Sequence, residues 1–255
     1  GELGASVLGN PAVADMVKHH SVLYRDLADP LGVLRHRSKT GLRDYWSYVP
    51  GSGSPDEGHR EYSQLMSSSL ALIGDHILNS YPLDGYRSLV DVAGGTGNFA
   101  RAVKKRYPDL SATVLDLPEV VTEAKDQALN SPVRFVATDM FHSPLPADTE
   151  LFSLVRVLHD HDDQPVSQLL ARLHSALRPG GHLLIAEPMA GTAGAEPIGD
   201  TYFGFYLWAM GSGRPRTADE LRAMCLAAGF TGVREFKTPI PALTRLLVAE
   251  KAVNS

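Results

Sequence analysis

Cysteine is almost absent from this chain. Of 255 residues only Cys225 is one, which excludes an internal disulfide framework and any cysteine-based metal site. Its neighbours Met224, Leu226 and Ala227 mark it as a buried structural thiol rather than a nucleophile. Long apolar runs are missing too: none reaches the length that spans a bilayer, and no signal peptide opens the chain, so the cytoplasm is the expected compartment. Basic runs are short and the net charge is −5, so nothing resembles a phosphate-binding stripe and nucleic acid is not an expected partner. There is no internal repeat. The first residue is Gly1 rather than Met, as in a fragment of something longer.

What is present suits one large α/β domain with an accessory piece. Residues 1–85 form a helical segment by pattern. Pro11 opens a helix through Val13, Met16 and Val17 that ends near His20, and Val22, Leu23 and Leu27 continue the spacing to the Asp29-Pro30 break. Gly51 to Gly58 is a flexible loop, and Leu65, Met66, Leu70, Ile73 and Ile77 recur at helical spacing. From residue 86 to 255 strand and helix patterns alternate, which predicts a doubly wound sheet covered on both faces. Strands are predicted at 88–93, 111–116, 133–137, 151–157, 182–187, 232–236 and 243–249, and helices at 97–107, 118–129, 163–177 and 217–228. Arg178-Pro-Gly-Gly181 ends one helix and turns into the fifth strand. The last two strands have no helix between them, so the final one is expected to run antiparallel.

The richest stretch is Leu89-Val-Asp91-Val-Ala93-Gly94-Gly95-Thr-Gly97, a buried strand that breaks into a glycine turn and opens a helix. Gly95-x-Gly97-x-x-Ala100 fits the dinucleotide fingerprint. Asp91-x-Ala93-x-Gly95-x-Gly97 fits the acidic glycine pattern that holds S-adenosylmethionine, and Asp91 would repel a pyrophosphate but not a cationic methionine end. A bare strand–helix turn is the third reading. Seven strands with an antiparallel ending favour the Rossmann-like methyltransferase variant of this fold, because a dehydrogenase does not need that hairpin.

Other candidates fall at predicted strand ends. Asp116, followed by Leu117, can accept both ribose hydroxyls or cap the helix at Pro118. Asp139 can take an adenine amino group with Met140 on the ring face, or both can belong to an ordinary loop. His159 can serve as general base, with Glu187 on the next strand fixing its tautomer. The cluster from His159 to Asp163 could suggest a metal, but consecutive residues rarely converge on one ion, and none is expected. Tyr202, Tyr206 and Met210 lie in an aromatic segment that is either a core helix or the wall of an apolar substrate pocket, which Tyr62 and Met66 would close.

With these residues in place, the chain from about Tyr62 to Glu250 resembles the S-adenosylmethionine-dependent O-methyltransferases of the caffeate/acetylserotonin type. The shared motifs are VDVAGGTG, LDLPEVV, the Asp139-Met-Phe trio, VLHDHDD, LRPGGHLLIAEP and GRPRT. LGNPAVADMVKHHSVLYRDLADP, the segment from Ala186 to Thr217 and the terminal TRLLVAE are similar to the bacterial carotenoid subgroup that methylates hydroxyneurosporene and demethylspheroidene. The resemblance implies S-adenosylmethionine as donor, S-adenosylhomocysteine as product, His159 as base and Glu187 beside it. It also implies a hydrophobic small-molecule acceptor, a homodimer in the full-length form, and peripheral membrane contact if the acceptor is a carotenoid. Three positions depart from the family pattern. Ala93 stands for its first glycine, Pro215 for a second acid beside the base, leaving Asp160 as a substitute, and Val155 for a lysine that contacts the donor. An oxidoreductase using a nicotinamide and a non-catalytic donor-binding domain are the competing classes.

Overall fold

The structure is a computed structural model that describes residues 11–35, 39–45, 73–127 and 132–253. Strands β1 (Ser88–Val92), β2 (Ser111–Asp116), β3 (Arg134–Ala137), β4 (Thr149–Val155), β5 (Leu177–Glu187), β6 (Gly232–Phe236) and β7 (Arg245–Glu250) form one sheet in the order β3-β2-β1-β4-β5-β7-β6. The first five are parallel, and β7 runs antiparallel between β5 and β6. The expected α/β architecture and antiparallel last strand are therefore both present.

Alternation along each strand explains why both faces are covered. Val90, Val92, Phe152, Leu154, Leu183 and Ile185 pack on one face, against Val166 to Leu173 of α6 (Asp163–Ala176) and Leu221 of α8 (Ala218–Ala227). Leu89, Leu151, Val155, Leu184 and Ala186 pack on the other, with Ile73 and Ile77 of the helical residues 73–80 and with Phe99 and Val103 of α4 (Asn98–Arg106); α5 (Pro118–Gln127) follows β2. Cys225 is buried in the first of these cores, and burial pushes its thiol up to about 12, as befits an inert side chain.

Two local expectations are corrected. The first helix, α1 (Pro11–Asp26), does not stop at His20 but runs on to Asp26, and Pro30 opens α2 (Pro30–Arg35). The Arg178–Gly181 turn lies inside β5: Leu177 already pairs with Thr149, and pairing resumes at Leu151 with His182. The four residues between are extruded as a bulge.

The amino-terminal helices, including α3 (Gly41–Tyr45), share a core with α7 (Phe203–Met210). Leu23, Val33 and Leu42 pack against Tyr206, Leu207, Ala209 and Met210. His19 Nε2 lies 2.8 Å from the Tyr206 hydroxyl, and burial, with His20 close by, holds the His19 pKa down to about 4. Its imidazole therefore stays neutral inside the core.

Candidate active site

Strand order reverses between β1 and β4, the place where open α/β sheets take their ligands, and the predicted residues lie at or just beyond the carboxyl ends of the strands. At β1, Asp91 is buried; Ser153 Oγ donates to its Oδ1 at 2.6 Å, while Oδ2 has no hydrogen-bond partner. Burial raises its pKa to about 7, with the Ser153 bond pulling down and Asp116 pushing up. The turn leaves room for this carboxylate only because Gly94 has no side chain: a Cβ there would stand 2.5 Å from Asp91 Oδ2. Ala93 adopts φ 52°, a left-handed conformation that costs an L-residue about 1–2 kcal/mol.

Asp116 is tied to the same turn. Its Oδ2 accepts from the Gly95 amide at 2.7 Å and its Oδ1 from the Leu117 amide at 2.8 Å. Burial raises its pKa to about 6 despite both bonds. Lone pairs remain on both oxygens for incoming hydroxyls. Gly97 begins α4 at φ 82°, completing the turn.

Asp139 closes a loop after β3. Its Oδ1 accepts from the Phe141 amide at 2.8 Å, and its Oδ2 lies 2.7 Å from His142 Nδ1. Met140 packs against the core and gives its carbonyl to Arg172 Nε at 3.1 Å. Phe141 meets His161 edge-on at 5.0 Å.

His159 sits in a short helical turn, Leu158–Asp160, one step beyond β4. Glu187 holds that turn from β5. Its Oε1 accepts from the amides of Val157 at 3.0 Å and Leu158 at 2.7 Å, and its Oε2 from the His159 amide at 3.2 Å and from His159 Nδ1. The other ring nitrogen, Nε2, is 3.2 Å from Asp160 Oδ1. Burial alone would lower the His159 pKa, but the carboxylates of Glu187 and Asp160 overcome it and push it up to about 10. Burial likewise opposes ionisation of Glu187, yet His159 and the backbone amides hold it below the ordinary carboxylate range. Glu187, His159 and Asp160 form a triad in which the two acidic side chains favour the protonated imidazole.

Phe203 faces this triad, its ring 6.0 Å from that of His159. Tyr202 lies 5.1 Å from Phe203 and stacks on His20 at 5.3 Å. Tyr206 and Met210 are turned into the core shared with the amino-terminal helices. The aromatic segment thus packs into that core on one side and towards His159 on the other. Tyr62 and Met66 lie outside the described residues. Phe203 is absent from the sequence candidates because α7 is apolar on all sides, so spacing does not tell which ring faces the crevice.

Comparison with known proteins agrees with this geometry. The O-methyltransferase domain family matches residues 24–231. Demethylspheroidene O-methyltransferase of Rhodobacter capsulatus is 42% identical over 97% of the chain, and its Cereibacter sphaeroides counterpart 41% over 91%. The chain spans 63% of the length of both. Acetylserotonin O-methyltransferase of Rattus norvegicus is 37% identical over 65% of the chain and is covered over 39% of its own length. Among solved structures, human N-acetylserotonin methyltransferase in complex with SAM superposes with a TM-score of 0.79 at 25% identity, over 94% of this chain and 70% of that one. Family match, close relatives and shared fold converge: the chain belongs to the O-methyltransferase domain family.

Proposed function

We propose that this chain is the donor-binding and catalytic portion of an S-adenosylmethionine-dependent O-methyltransferase. Its acceptor is a hydrophobic small molecule, best matched by the tertiary hydroxyl of a hydroxycarotenoid of the hydroxyneurosporene/demethylspheroidene type. The observation that carries this reading is the buried His159–Glu187 pair at the carboxyl ends of β4 and β5, with the Phe203 ring beside the imidazole. The two demethylspheroidene relatives support the acceptor class.

The residues present fit the donor. Asp91 Oδ2, buried and unpartnered, suits a cationic methionine end, and the space a Cβ of Gly95 would enter is open to 4 Å. Asp116 would take the ribose hydroxyls, with Ala93, Gly94, Gly97 and Leu117 lining the turn, Asp139 on the adenine amino group and Met140 on its ring. Bound S-adenosylmethionine supplies an already electrophilic methyl. The protein's own work is alignment and proton removal. An alkanol is too weak an acid to ionise beforehand, so the neutral form of His159, with Nε2 turned from Asp160, would take its proton as the carbon–oxygen bond forms and the sulfonium–methyl bond breaks.

A flat phenol is the second acceptor reading, favoured by the acetylserotonin relatives. A division near residue 85, a cytoplasmic homodimer and peripheral contact with the substrate-bearing membrane complete the proposal. Among the described residues, no helix is long and apolar enough to cross a membrane.

Calorimetric titration with S-adenosylhomocysteine and with NAD tests the donor, and labelled S-adenosylmethionine with hydroxycarotenoids and phenols tests the acceptor. S-adenosylhomocysteine is expected to bind and the label to pass to the hydroxycarotenoid; binding of NAD alone would end the proposal. Gly94→Ala, which crowds Asp91, is expected to weaken S-adenosylhomocysteine binding about tenfold.

A further inference from the structure

The turn that carries His159 is held from two sides. Glu187 takes its amides, as described above. Its carbonyls go elsewhere: all four, from Leu158 to His161, accept from residues 212–216. Ser212 Oγ donates to the Asp160 carbonyl at 2.7 Å, and the Arg214 amide to the His159 carbonyl at 3.0 Å. Arg216 spans the turn, with Nη1 on the Leu158 carbonyl at 2.8 Å and Nη2 on the His161 carbonyl at 2.7 Å. The same guanidinium reaches Asp163 Oδ1 at 2.7 Å, at the start of α6. Arg216 is 2% exposed, although it is an arginine.

The fit is close enough to exclude a side chain. Gly213 adopts φ 79°, and a Cβ there would stand 2.0 Å from the His159 carbonyl oxygen. Its amide donates to Asp162 Oδ1 at 3.0 Å. The strap also follows directly on α7, whose last turn ends at Gly211 beside Arg43 of α3. One short piece of chain therefore joins the helix that carries Phe203 to the carbonyls beneath His159. Pro215 sits in the middle of it.

We propose that residues 212–216 are the positioning element for His159, with Arg216 as its anchor, and that they fix the imidazole in register with the acceptor wall of α7. Arg216 acts through the backbone of the turn and is a positioning residue. The roles given to His159 and α7 rest on the methyltransferase reading, but the mechanical claim concerns only this chain's own atoms.

The test uses the whole chain, with Arg216→Lys as the main variant and Ser212→Ala as the milder one. Lysine keeps the charge but cannot bridge both carbonyls. Three readouts are taken: binding of S-adenosylhomocysteine, the NMR titration of the His159 ring assigned with His159→Gln, and turnover with labelled S-adenosylmethionine. The groups that set the titration are Glu187 from β5 and Asp160 on the turn itself. In Arg216→Lys the His159 titration is expected to move down towards the ordinary histidine range, with S-adenosylhomocysteine affinity within threefold of the parent. Turnover falls about 10²-fold, the cost of a misplacement near 1 Å, with a smaller fall in the same direction for Ser212→Ala. If both variants only melt earlier and keep the parent titration and turnover, the strap is structural and the proposal fails. If the parent itself transfers no label to any hydroxycarotenoid or phenol, the methyltransferase reading fails, while the ring titration still decides the role of the strap.

Discussion

Replacing His159 by alanine is expected to lower turnover by about 10²–10⁴-fold, the usual contribution of a positioned general base, while S-adenosylhomocysteine still binds. The two sites separate because His159 makes its hydrogen bonds to Glu187 and Asp160, not to the glycine turn. The pH dependence carries a sign. Only neutral imidazole can accept a proton, and the two carboxylates, outweighing burial, keep the ring protonated up to about 10. Turnover of the parent should therefore climb with pH through the neutral range. Stability should move the other way. A group whose folded pKa is raised above 6.5 contributes its full stabilisation below that value and loses it as pH rises through about 10. A pH–rate profile paired with unfolding curves checks both, and unchanged turnover in His159→Ala removes this residue from the mechanism.

Glu187→Ala should have the largest effect on the fold. One carboxylate there accepts from three backbone amides and from the imidazole, and it is 2% exposed. Its removal leaves buried donors without an acceptor and a buried cation without its nearest counter-charge. A broken pair of this kind costs about 3–5 kcal/mol, read by denaturant unfolding near neutral pH. Because the Glu187 pKa is lowered, its contribution is present above the ordinary 4.5 and fades as pH falls through its folded value. The deficit of the variant should accordingly shrink in acid. The ring of His159 should titrate lower as well, since burial then faces Asp160 alone. A loss below 1 kcal/mol would mean that the turn does not depend on Glu187.

Much of this site is legible in sequence because parallel strands deliver their carboxyl ends to one edge. Once apolar runs end at Asp116, before Asp139 and at Glu187, topology brings them to one edge of the sheet without any contact being known. The strap is not legible in that way. It works by amides, a hydroxyl and a guanidinium acting on carbonyls, and carbonyls carry no residue signature. Pro215 was the only hint, as a missing acid, and a missing acid does not reveal that its neighbour Arg216 grips the turn. The bulge in β5 is hidden for another reason: Arg178-Pro-Gly-Gly181 has the composition of a reverse turn, and only the pairing of Leu177 with Thr149 shows that the strand has already begun. In α7, polarity is too even along the helix to separate Phe203 from Tyr206.

The core shared by α7 and the amino-terminal helices has a consequence for synthesis. Thr40 donates to the carbonyl of Ala209, 169 residues further along the chain. At about 5–20 residues per second, roughly 10–30 s separate the emergence of these two ends from the ribosome. Throughout that interval Leu23, Val33 and Leu42 lack the cover that α7 gives them. The amino-terminal helices thus carry an uncovered apolar face on the nascent chain until α7 is made.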